Sequence, residues 1–256
     1  INHLARVRTA NLAKSNGAKR YVLPSSCSIY GFQDKDVIVD ETDATNPLTT
    51  YARSNEAAER DILGLGDEHF CVVALRQATV YGYSPRMRFD LAINGMTYGA
   101  WKTGALPLMR DGTQWRPMVH VRDTSRAQMF MLTADHDAIN GQIFNVGSDD
   151  NNYQIGPLAE QVISVLPGEV AIEWYGDPDV RSYRVSFSKI EQLGFKAKFR
   201  AEDGARDVME ALEQGLTDRT PKTLTLDWYK ALTYWQSVLD GMTMHGGLIE
   251  LPGDQP

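Results

Sequence analysis

Two short clusters carry the residue types from which a reactive site could be built. The first is Ser25-Ser26-Cys27-Ser28-Ile29-Tyr30-Gly31, directly after the stretch Arg20 to Pro24. If that stretch is a strand of a parallel sheet, its carboxyl end is where open α/β sheets bind ligands. Hydroxyl groups placed there can hydrogen-bond a reacting oxygen; a serine-rich turn without a ligand is the plain alternative. The second cluster is Tyr51-Ala52-Arg53-Ser54-Asn55, at the first turn of a predicted helix. Positions four apart share a helix face, so Tyr51 and Asn55 point the same way.

The elements that must position these clusters alternate between helix-like and strand-like, the mark of an α/β fold with a parallel sheet. Residues 2–15 read as a helix stopped by Asn16-Gly17, and Arg20 to Pro24 as a buried strand. A turn-rich stretch with Asp34, Asp36, Asp40 and Asp43 closes at Asn46-Pro47. Thr49 or Thr50 caps a helix that carries Tyr51 to about Leu63. Phe70 to Leu75 is apolar throughout and predicts a fully buried strand. A helix is expected over roughly Met87 to Lys102, and a strand over Gln142 to Val146. Leu158, Val162, Val165 and Leu166 form one helical stripe, and Val170 to Trp174 a further strand. Trp228, Ala231, Leu232, Trp235 and Leu239 recur at helical spacing and predict the buried face of a long amphipathic helix. Beyond Gly241 the chain is expected to fray.

In this order, the clusters resemble the extended short-chain dehydrogenase/reductase superfamily, in its NAD-dependent nucleotide-sugar epimerase/dehydratase branch. That family has a strand ending in a Ser/Thr-rich turn with Tyr-Gly, then a Tyr-x-x-x-Lys helix about twenty residues on. The resemblance continues through Leu75-Arg76-Gln77-Ala78-Thr79-Val80-Tyr81-Gly82, similar to the strand entering a nicotinamide-side loop. It runs on through Gly112-Thr113-Gln114-Trp115-Arg116-Pro117-Met118-Val119-His120-Val121-Arg122-Asp123 and Phe144-Asn145-Val146-Gly147. It implies a Rossmann-like doubly wound parallel sheet with a smaller C-terminal substrate lobe. The dinucleotide-binding part would comprise residues 1–83 and 118–148, and the substrate lobe residues 84–117 and 149–256.

The resemblance also implies roles. Tyr51 would be the acid/base of a hydride transfer at a sugar carbon, with Ser26 on the reacting oxygen and Asn55 at the position of the family's Lys. NAD or NADP would contact Ser25, Tyr51, Asn55, Ala78, Thr79 and Val80. Asn94, Arg116 and Arg181 would contact the nucleotide sugar, the two arginines as bidentate partners of its diphosphate. Epimerisation or keto-reduction is expected rather than dehydration, because Cys27 and Ser28 stand where the dehydratases carry Asp-Glu. His120 is expected to be a core histidine, and Cys27 to have no acid/base role. The family's phosphate-cradling Gly-x-x-Gly-x-x-Gly turn occurs nowhere in the chain. The first helix instead resembles the family's fourth, with Asn2 at its early Asn. The resemblance therefore implies an N-terminally incomplete sheet, short by about 60–90 residues at ~30 per β-α unit. Asn55 brings no charge, and Ser186-Phe187-Ser188-Lys189 replaces Asp-x-Ser-Lys. A cofactor-binding pseudoenzyme, a sensor or scaffold, is accordingly the alternative to an enzyme.

Composition narrows the classes further. At 256 residues, 43% hydrophobic and 23% charged, the chain has the make-up of a globular protein with a sizeable core. Its net charge of −7, without a basic block, argues against nucleic acid as a partner. No apolar run approaches the ~20 residues needed to span a bilayer. Cys27 and Cys71 make neither a disulfide framework nor a metal-ligand spacing, and no metal is expected. That usage suits a reducing cytoplasm. The resemblance leaves a homodimer open.

Overall fold

A computed structural model describes residues 1–33, 37–177, 182–245 and 248–250, the runs 243–245 and 248–250 by their backbone alone. Asp34, Asp36 and Arg181 lie outside the described residues. The chain begins with helix α1 (Leu4–Ser15), strand β1 (Arg20–Ser26), a 3-10 turn over Cys27–Tyr30 and the short strand β2 (Ile38–Val39). Helix α2 (Thr50–Leu63) and strand β3 (Cys71–Gln77) follow, then β4 (Thr79–Tyr81), α3 (Ala92–Thr103) and β5 (Ala105–Met109). The middle of the chain supplies β6 (Trp115–His120), α4 (Val121–Thr133), α5 (His136–Ile139) and β7 (Gln142–Val146). Then come β8 (Asn152–Gln154), α6 (Ile155–Ile163), β9 (Ala171–Tyr175), β10 (Arg184–Val185), α7 (Ser188–Gln192), α8 (Ala201–Glu213) and α9 (Thr225–Asp240).

The α/β expectation holds. β1, β3 and β7 form a parallel sheet with β3 in the middle. Side chains of a strand alternate between faces, and β3 shows what each face meets. Val72 and Ala74 pack with Leu23 against Ala10 of α1 and Ala58 and Ile62 of α2. Cys71, Val73 and Leu75 point the other way, toward Ala127 and Met131 of α4. Helices therefore cover both faces, which is why β3 is apolar throughout rather than alternating. A second core joins Ile93, Met96 and Ala100 of α3 to Leu106 and Leu108 of β5, Leu158 and Val162 of α6, and Ala201 and Ala205 of α8. It lies beside the small sheet β4-β6-β8 and the pair β5-β9.

Three expectations need correction. α3 starts at Ala92 rather than near Met87. Residues before it stay irregular because Met87 and Phe89 are buried against Val208 and Leu212, and Phe89 N donates to Thr223 O at 2.9 Å. α9 forms as the periodicity requires, yet none of its residues is buried; Trp235 and Leu239 are each 60% exposed. Its apolar stripe predicted a helix correctly and a core wrongly. Past Gly241, where fraying was expected, Thr243–His245 and Leu248–Glu250 pair antiparallel.

Candidate functional site

The serine-rich turn is held from below. Thiol, phenol and guanidinium of Cys27, Tyr30 and Arg76 converge beneath it, all buried. Arg76 makes an ion pair with Glu59 at 2.8 Å and donates from Nη1 to Tyr30 Oη at 2.9 Å. Tyr30 Oη donates onward to Asn145 Oδ1 at 2.9 Å. Burial pushes both the Tyr30 phenol and the Cys27 thiol well above their usual values, so both stay protonated. Cys27 donates to the Arg76 carbonyl oxygen at 3.1 Å and has no exposed surface. Gly31 closes the turn at φ 67°, and a Cβ there would lie 2.0 Å from the Asn46 carbonyl oxygen. That backbone in turn donates from Asn46 N to Ile29 O at 2.8 Å, so only glycine fits.

On this platform the predicted residues separate. Ser25 turns inward and donates its hydroxyl to Glu59, which commits it to the buried network. Ser26 is half-exposed at the end of β1, accepts from Ser28 N at 3.2 Å and donates to Ser28 Oγ at 3.0 Å. α2 packs against this turn. Its N-cap Thr49 accepts from Ala52 N at 3.1 Å, which fixes where Tyr51 leaves the helix. Tyr51 is 48% exposed, whereas Asn55 one turn later has no exposed surface. Asn55 Nδ2 donates to the Tyr51 carbonyl oxygen at 2.9 Å, and its Oδ1 accepts from Arg6 Nη1 at 2.6 Å. Arg6 comes from α1, and no motif or spacing singled it out.

Two cavities lie beyond the turn. The larger, about 690 Å³, is lined by Thr79, Met96, Leu108, Gln114, Arg116 and Arg219 among others. The smaller, about 190 Å³, is lined by Ser28, Gly31, Leu48, Thr49, Thr79, Arg116 and Tyr183. Thr79 and Arg116 belong to both. Arg116 is half-buried on β6, with Nη1 donating to the Trp115 carbonyl oxygen at 2.9 Å and its guanidinium over the Tyr183 ring. Ala78 is buried and bonded to Val146 O at 3.0 Å, so it shapes the strand exit, while Thr79 and Val80 are half-buried. Asn94 is buried and spends its side chain on backbone, accepting from Gly82 N at 2.9 Å and donating to Arg88 O at 3.0 Å. It braces the loop that walls the larger cavity. Gln114, Ser28, Thr49 and Tyr183 were not picked out as ligand contacts. Gln114 stands in the same Gly-x-x-x-Arg segment as Arg116, two residues before it, so a signal was present.

The hydroxyls of Ser26, Tyr51 and Thr79 are not sealed in the core and could hydrogen-bond the ribose or carboxamide of a dinucleotide. Among the described residues no group of three His, Cys, Asp or Glu could hold a metal ion. No helix among them is long and apolar enough to cross a membrane.

Residues 1–147 match the NAD dependent epimerase/dehydratase family. The trifunctional UDP-glucose 4,6-dehydratase/UDP-4-keto-6-deoxy-D-glucose 3,5-epimerase/UDP-4-keto-L-rhamnose-reductase RHM1 of Arabidopsis thaliana is 21% identical over 243 residues, 92% of this chain and 33% of the relative. An uncharacterized protein of Schizosaccharomyces pombe is 25% identical, over 74% of this chain and 60% of its own length. The chain thus spans between a third and three-fifths of these relatives. MoeE5, solved in complex with UDP-glucose and NAD, superposes with a TM-score of 0.72 at 28% identity, over 84% of this chain and 72% of that one.

Proposed function

Because the chain belongs to the NAD dependent epimerase/dehydratase family, we propose that it carries the reactive centre of an NAD-dependent nucleotide-sugar epimerase or keto-reductase. The observation that carries this reading is the smaller cavity. It opens beside the Ser26 turn, is lined by hydroxyls and Arg116, and holds no carboxylate among its described lining. A sugar ring there would meet groups that bind and orient it, but no acid/base at position 28 and a sealed, protonated thiol at position 27. Elimination of water needs such a group, so epimerisation or keto-reduction fits better. The larger cavity would take the nucleoside, with Arg116 at the junction on the diphosphate and Arg181 as a second contact. On this reading residues 84–117 and 149–256 form the substrate lobe.

NAD, when bound, supplies the hydride acceptor and, once reduced, the donor. Tyr51 Oη takes the hydroxyl proton as the sugar carbon is oxidised and returns it when the ketone is reduced. Ser26 hydrogen-bonds the same oxygen and keeps it within reach of Tyr51. The burial of Asn55 carries the second reading, a cofactor-binding protein without turnover. Single-turnover mixing of the complete gene product with NAD and UDP-sugars separates the two. A transient of reduced dinucleotide that Tyr51→Phe slows by about a hundredfold or more supports the enzyme. Dinucleotide binding with no transient would leave the binding protein.

A further inference from the structure

The position expected to carry a cation beside Tyr51 is filled by an amide that no ligand can reach. Asn55 has no exposed surface, and its orientation is fixed by its partners. Arg6 can only donate and the Tyr51 carbonyl can only accept, so Oδ1 faces Arg6 and Nδ2 faces the helix backbone. Arg6 is the half-exposed member of the pair. A guanidinium has five N–H donors, and one of them is given to Asn55. The carboxylates of α2 are engaged elsewhere: Asp61 by His3 at 2.6 Å and Arg60 at 3.1 Å, Glu59 by Arg76 at 2.8 Å, Glu56 by the Thr45 hydroxyl. Among the described residues no carboxylate pairs with Arg6. Its position is nevertheless fixed. α1 packs on α2 through Ala10, Ala58 and Ile62, Lys14 donates to Leu65 O at 2.6 Å, and Tyr21 Oη donates to Arg6 O at 3.4 Å.

We propose that Arg6 is the cation of the Tyr51 site, anchored by Asn55 and presenting its remaining N–H donors to the ribose hydroxyl and phosphate oxygens of the bound dinucleotide. This rests on the dinucleotide reading above. Position 55 then holds Asn because a Lys there would place a second cation against Arg6, and an amide oxygen instead accepts from it. Positions 6 and 55 form an exchangeable pair: the charge can stand at either, but not at both.

The test is titration calorimetry with NAD, and the KM for NAD and kcat of hydride transfer, on the complete gene product. Variants are Arg6→Met, Arg6→Gln, Arg6→Lys, Asn55→Lys and the double Arg6→Met/Asn55→Lys, each checked for folding by thermal melting. Loss of a charge-assisted contact should weaken NAD binding about tenfold or more in Arg6→Met and Arg6→Gln. Arg6→Lys should retain most of the affinity. Asn55→Lys alone should lose it by repulsion, and the double variant should return to within about threefold of the parent, because the charge has moved rather than gone. A merely structural Arg6 would not be rescued by a Lys at 55. Folded Arg6→Gln that binds NAD like the parent overturns the proposal while leaving the dinucleotide reading in place. Absence of NAD binding by the parent overturns both.

Discussion

The carboxylate of Glu59 on α2 grips the guanidinium of Arg76 on β3 through three contacts of 2.8 to 3.2 Å, with both side chains out of water. This pair ties the helix that carries Tyr51 to the sheet whose end carries Ser26, and Ser25 and Tyr30 are attached to it. Removing one partner strands the other as a buried charge. Glu59→Gln or Arg76→Met should each cost about 3–5 kcal/mol in urea unfolding. The double apolar replacement Glu59→Leu/Arg76→Met should cost less than either single change. Equal and additive losses would show that the pair does not act as a unit.

Arg116 stands where the two cavities meet, so its removal should be felt in binding and not in folding. Arg116→Ala should weaken nucleoside diphosphate binding by about 1.5–3 kcal/mol, the worth of a charge-assisted contact. Asn94→Ala, which frees the loop backbone at Gly82 and Arg88, should lower the melting temperature. Calorimetric titration with UDP beside a thermal melt checks both. UDP affinity unchanged in Arg116→Ala would remove it from the site.

His120 sits at the end of β6 without exposed surface. Its Nδ1 accepts from Arg122 N at 3.1 Å, which puts the proton on Nε2, 3.2 Å from Asp207 Oδ2. Burial holds its pKa below the ordinary value, helped by Arg122 and opposed by Asp207, Asp123 and Asp203. The unfolded chain therefore takes up a proton before the folded one does. Stability should be full above the free histidine value of about 6.5 and fall as pH drops below it. Urea unfolding between about pH 5.5 and 7.5 should show that slope in the parent and a flatter one in His120→Gln. Identical slopes would place the titration elsewhere.

α9 offers a direct test of exposure against periodicity. With Trp235 and Leu239 on the surface, Trp235→Ala should change stability by no more than about 0.5 kcal/mol. The same substitution in a core would cost about 3–5 kcal/mol. Chemical denaturation of one variant decides which environment the side chain has.

The parts of the fold legible in the sequence were those fixed by local pattern. β3 was readable because it is buried on both faces, and α2 because Thr49 caps it and its buried positions recur at helical spacing. The same periodicity in α9 misled, since an apolar stripe states that a helix can bury a face and not what it meets. Thr79 and Arg116 were named as contacts from the motifs that carry them, and both line the cavities. What the sequence withheld are relations between distant positions. Asn94 reads as a polar contact until its two backbone partners are seen. Asn55 reads as a lost charge until Arg6, 49 positions away, is found bonded to it.

The sharing of Thr79 and Arg116 by both cavities has a consequence for how a ligand is measured. A compound that fills only one chamber can use Arg116 alone, and two separate fragments must compete for it. A compound long enough to enter both chambers brings its second half as a tethered group, at the high effective concentration of a short linker. Affinity should then rise steeply with ligand length up to the span of the two chambers and stop rising beyond it. If one ligand fills both chambers, the junction acts as a gauge of length: a fragment that occupies a single chamber still binds, but more weakly than the whole, by thermodynamics rather than by steric exclusion.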